Sequence, residues 1–88
     1  MLYIYCHERL SGEEDIFELV KTFPFGIHFL ISRSGNPSIP DPSADGSALI
    51  RATVIEPGLT VMIEAQKVGN IYKAFIYAGS IQMNWTEV

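Results

Sequence analysis

The sequence predicts an α+β fold: a mainly antiparallel sheet of about five to six strands with one amphipathic helix packed on a face, ordered β-α-β-loop-β-β-β-β. Three observations predict it. The stretch 59–85 carries three apolar runs, at 59–65, 71–78 and 81–85, and the first and last alternate apolar and polar residues. A period of two places alternate side chains on opposite faces of a strand, one to bury and one to wet. Upstream, Ile16, Leu19, Val20 and Phe23 fall at i, i+3, i+4 and i+7, the spacing of one helix face. Between these halves, 33–46 departs in composition from everything around it.

Taken in order, 2–7 reads as a first strand with Leu2, Ile4 and Cys6 on one side and Tyr3, Tyr5 and His7 on the other. Both sides are bulky, so this strand is expected inside the sheet or with its second face partly covered. Ser11-Gly12-Glu13-Glu14 has the form of a capping box, in which the Ser11 hydroxyl accepts from the Glu14 amide and the Glu14 carboxylate reaches back. Acidic residues crowd the first turn, where the helix dipole favours them, and Pro24 ends the helix. Residues 25–32 then form a strand, with Ile27, Phe29 and Ile31 opposed to His28, Leu30 and Ser32. A helical crossover makes the first two strands parallel.

The outlier at 33–46, RSGNPSIPDPSADG, holds three prolines, two glycines and three serines, and reads as a long loop inside a single domain spanning 1–88. A strand at 47–56 follows, with Ala48, Ile50, Ala52 and Val54 on one face. Glu56-Pro57-Gly58-Leu59 has the composition of a type II turn. Gly69-Asn70 marks a tight reversal, and Gly79-Ser80 a second. In the last run Ile81, Met83 and Trp85 share a face. The expected core is Ile4, Ile16, Leu19, Val20, Ile27, Phe29, Ile50, Val61, Ile63 and Ile76.

Composition narrows the function classes. Hydrophobic residues are 48% and charged ones 18%, too apolar for a disordered chain. Six basic residues stand singly against ten acidic ones, a net charge of −4. Binding through a phosphate backbone needs clustered cations, so no direct nucleic-acid binding is expected. The single cysteine, Cys6, allows neither an internal disulfide nor a zinc cluster. No signal peptide and no membrane span are read from the sequence, so a cytoplasmic protein is expected, and the strand-like start after Met1 reads as a complete small chain.

Chemistry-bearing residues are sparse. Cys6 and His7 are adjacent in a strand and point to opposite faces, against a nucleophilic pair. His28 faces His7 if the first two strands are neighbours, and with Glu8, Asp41 or Asp45 would make a conceivable metal site. No spacing motif supports it, so no metal and no cofactor are expected. Glu13, Glu14, Asp15 and Glu18 form the densest acidic cluster, read either as a solvated helix face or as a docking patch for a basic protein surface. Tyr and Trp residues left over from the core are candidate contact residues.

By elimination, the expected function is a small non-catalytic protein-binding domain of inhibitor, immunity or adaptor type. Its partner-binding residues would be Glu13, Glu14, Asp15, Glu18, Arg33, Asn36, Ile39, Asp41 and Asp45. An edge strand offers a route to a homodimer. The alternative is a small enzyme or ligand-binding subunit with a site around His7 and His28 at an oligomer interface.

Overall fold

The computed structural model describes residues 3–7, 10, 14–32, 36–39, 48–67 and 69–88. They form a mixed six-stranded sheet with one short helix: β1 (Ile4–Cys6), α1 (Ile16–Val20), β2 (Gly26–Ser32), β3 (Ala48–Glu56), β4 (Thr60–Lys67), β5 (Asn70–Tyr77) and β6 (Ser80–Glu87). Spatial order follows sequence order from β1 to β6. As the helical crossover requires, β1 runs parallel to β2, while every later pair is antiparallel.

Turn chemistry sets the later strands. Gly58 takes a φ of 76° and the Leu59 N–H donates to the Glu56 carbonyl at 2.9 Å, the type II geometry read from Pro57-Gly58. The last reversal is made by Ala78-Gly79, not Gly79-Ser80. Both residues have positive φ, 54° and 81°, as a type I′ hairpin turn requires.

Alternation in β3 and β4 is realised as expected. Ile50, Ala52, Val54, Val61, Ile63 and Ala65 all face inward, and with Ala74 and Ile76 of β5 they join Leu10, Ile16, Phe17, Val20, Phe23 and Ile39 in one core cluster. Burying such an aliphatic side chain contributes roughly 1.5–3 kcal/mol over leaving it in water. The other face of the sheet is open, with Ile31, Leu49, Ile55, Met62, Tyr77 and Met83 all exposed.

In β1 and β2 the faces are reversed from the expectation. Gly26, His28, Leu30 and Ser32 point into the core, and Ile27 and Phe29 are half-buried on the open side. Ile4, expected in the core, is 66% exposed, and Leu19 is only partly buried. Aliphatic side chains occupy both sides of β2, so the side that finds partners for the polar atoms of His28 wins. β1 lies at an edge of the sheet, and Tyr5 on its second side is half-buried against His28, the second of the two expected arrangements.

Two further expectations change. The helix has five residues, begins at Ile16 and is capped by Asp15, whose carboxylate accepts from the Phe17 N–H at 2.9 Å. The proposed box residues Ser11, Gly12 and Glu13 lie outside the described residues. In β6, Ile76 pairs with Ile81, Phe75 with Met83 and Lys73 with Thr86, so β6 carries two extra residues in bulges. Each bulge switches the facing: Ile81 and Trp85 turn to the core side and Met83 to the open side. Among the described residues no helix is long and apolar enough to cross a membrane.

Candidate functional site

Two places concentrate side chains that could act: a histidine pair on the core side and the open face of the sheet. The pair follows from register, because Tyr5 lies opposite His28 and His7 continues the same side of β1. His7 Nε2 and His28 Nδ1 are 2.7 Å apart, and His28 Nε2 is 2.8 Å from the Pro24 carbonyl. A carbonyl only accepts, so His28 Nε2 carries the proton, and His28 Nδ1 then accepts from the His7 Nε2–H. Tyr5 stacks on His28 with centroids 4.4 Å apart, and Phe23 stacks on His28 at 4.4 Å and on His7 at 4.3 Å.

His28 is fully buried with both nitrogens engaged, so it has no lone pair left for a metal or a substrate. His7 is exposed, and its Nδ1 has no partner among the described residues. Partial burial lowers the His7 pKa from its ordinary 6.5, and the neighbouring His28 lowers it further. Cys6 pairs with Phe29 on the opposite face. Among the described residues no group of three or more His, Cys, Asp or Glu side chains could hold a metal ion.

Of the residues singled out for partner binding, Glu14, Asp15 and Asn36 lie together around a shallow depression beside Pro37 and Ser38. Glu13, Arg33, Asp41 and Asp45 lie outside the described residues. Asp15 is spent on the helix cap, and Glu18 is exposed but paired with Lys21 at 3.3 Å. The exposed Glu14 accepts at its main-chain carbonyl from Asn36 Nδ2 at 2.6 Å. Asn36 is fully buried and Ile39 is core, so these two hold the 36–39 segment in place and present nothing to a partner.

The open face was reached by sequence reading only as a general aromatic surface. Register arranges it in rows that run across the strands. One row is apolar but for Thr53 at its centre: Ile4, Ile27, Thr53, Met62, Phe75 and Met83. The next is polar at its centre: Cys6, Phe29, Arg51, Glu64, Lys73 and Thr86. Beyond it Ile31, Leu49, Gln66 and Ile71 form a third. Arg51 and Glu64 are bridged at 3.2 Å, and a depression of about 360 Å³ opens around them between Met62, Phe75 and Met83. The missed signal was the reversed facing of β1 and β2, which brings Ile4, Ile27 and Ile31 to the side of Met62.

Compared with protein-family models, curated proteins and solved structures, the chain matches none.

Proposed function

We propose that this chain is a non-catalytic protein-binding domain whose contact surface is the open face of its sheet. One observation carries the reading. Apolar side chains on that face, including Ile4, Ile31, Leu49, Met62 and Met83, are each 40–66% exposed and lie in adjoining rows. A contiguous apolar patch of more than a few hundred Å² is rare on a monomeric protein and marks an interaction site. The helix and the 36–39 segment cover the core side of the sheet, and a partner seated on the other side would take its apolar rows out of water. An inhibitor, immunity or adaptor-type role fits such a domain, and the exposed free thiol of Cys6 fits a reducing cytoplasm.

The acidic helix side supports docking less well, because Asp15 caps the helix and Lys21 partly neutralises Glu18. A basic-surfaced partner is therefore the weaker form of the reading. Nucleic acid is disfavoured, since the charged row of the open face is Arg51, Glu64 and Lys73 in a chain of net charge −4.

The test places a photo-crosslinking amino acid at Met62, or separately at Glu18, in the chain expressed in its own cells. Covalent protein adducts from position 62 and none from position 18 are expected. Adducts from 18 alone would move the docking surface to the helix, and none from either would remove the reading.

A further inference from the structure

We infer that the layer completing the open face is a second copy of this chain, packed face to face about a two-fold axis that runs parallel to the strands between β3 and β4. The inference rests on the reading of that face as a contact surface. The axis is chosen by the rows. It lays β3 over β4 of the second copy, β2 over β5 and β1 over β6, so that each row meets itself in reverse.

In the apolar row, Ile4 then meets Met83, Ile27 meets Phe75 and Thr53 meets Met62. In the central row, Arg51 meets Glu64 of the second copy, and by symmetry Glu64 meets its Arg51. The in-chain Arg51–Glu64 bridge of 3.2 Å thereby becomes a closed ring of four alternating charges. Lys73 is set over the ring of Phe29, where a cation is welcome. A two-fold axis laid across the strands along this row would instead stack Arg51 on Arg51 and Lys73 on Lys73. The sequence of charges thus selects one of the two simple ways of stacking the sheet on itself, and complementary charge fixes register more than it adds affinity.

Area agrees. Five inter-strand spacings of about 4.8 Å, and strands of eight residues rising about 3.4 Å each, give a face of roughly 25 by 27 Å. Two such faces bury on the order of 1,300 Å², inside the range of about 1,200–2,000 Å² for a stable specific interface. Aligned sheets of this size stack about 10 Å apart with strands roughly 30° askew, which keeps the central β3–β4 pairs in closest contact. The alternative route to a dimer, through a strand edge, is poorly served. β1 offers three residues, and β6 is broken by two bulges, the device that blunts sheet edges.

The experiment is a charge swap read by light scattering and sedimentation. The wild-type chain is expected to weigh twice its 9.8 kDa at high concentration and to dissociate on dilution. Arg51→Glu alone and Glu64→Arg alone each set like charges together, and each is expected to weaken self-association by about tenfold or more. An equimolar mixture of the two restores opposite charges at both sites and is expected to form a mixed dimer, which misfolded chains could not do. The doubly swapped chain is expected to self-associate again. A wild-type dimer with no rescue in the mixture overturns this arrangement. A wild-type monomer at every concentration overturns the second copy as occupant. In that case heterologous adducts from the probe at position 62 would leave the contact-surface reading standing, and their absence would end both.

Discussion

Trp85 donates its indole N–H to the main-chain carbonyl of Ser38 at 2.7 Å, across 47 positions of sequence. The Ser38 hydroxyl in turn accepts from the Ile16 N–H at 2.9 Å, and Trp85 packs on Phe17 with ring centroids 5.6 Å apart. The last strand therefore fastens the 36–39 segment, and that segment caps the helix. Trp85→Phe keeps a ring but removes the donor, leaving the Ser38 carbonyl without it. A loss of about 1–2 kcal/mol is expected in urea unfolding. Hydrogen exchange at the Ile39 amide, which bonds the Asn36 carbonyl, should quicken along with it. Unchanged exchange there would mean that the segment is held by other contacts.

Gly26 is the tightest point between the first two strands. Its φ is 140°, and a Cβ built on it would lie 2.6 Å from the Tyr3 carbonyl oxygen and 2.9 Å from the Tyr5 ring. The first obstacle is backbone and cannot rotate away. Gly26→Ala is expected to cost about 2–4 kcal/mol from strain and displacement of β1. The near-ultraviolet dichroism of the tyrosines should fall with it, and a variant of wild-type stability would refute the close approach.

Ala78 holds a φ of 54°, a left-handed conformation that disfavours a side chain branching from Cα. Asparagine tolerates it, and Asn-Gly is the preferred pair for a type I′ turn. Ala78→Asn should therefore raise stability by about 0.5–1 kcal/mol, read as a higher midpoint of thermal unfolding. A lower midpoint would argue that the turn is not of this type.

His7 ties stability to pH. Its pKa is lowered in the folded chain, through partial burial and then through His28, from an ordinary 6.5. Below that value the unfolded chain takes up this proton more readily than the native one, so stability falls as pH drops through 6.5. His7→Gln keeps a donor toward His28 and removes the titration. The difference in stability between the two proteins should shift against wild type on going from neutral pH to pH 5 in chemical denaturation. A pH-independent difference would show that His7 does not contribute this linkage.

The inward faces of β3 and β4 are legible in the sequence because Ala48, Ile50, Ala52 and Val54, and then Val61, Ile63 and Ala65, recur on a period of two. The facing of β2 is not legible. His28 looks like the wetted side beside Ile27 and Phe29, and only the folded chain supplies Pro24, His7, Tyr5 and Phe23 to satisfy it. The helix start misleads for a similar reason: a local box at Ser11 competes with Asp15 and with Ser38, a cap from a distant segment. The bulges of β6 have no glycine or proline to announce them, so the joint facing of Ile81, Met83 and Trp85 could not be corrected from sequence. The open face suffers most, because its rows exist only once all six registers are known.

Strands β3 to β6 succeed one another through turns of two or three residues, while β1 reaches β2 only after a long excursion through the helix. Short loops close at small entropic cost, and local pairing folds fastest. The C-terminal meander is thus expected to assemble first, so that Val61→Ala slows folding whereas Tyr5→Ala mainly speeds unfolding. Three residues of β1 are then the last piece to arrive and the first to leave. Their departure would unstack Tyr5 and let water reach the buried imidazole while the hairpins behind it still hold, a latch at one end of the sheet and not a keystone.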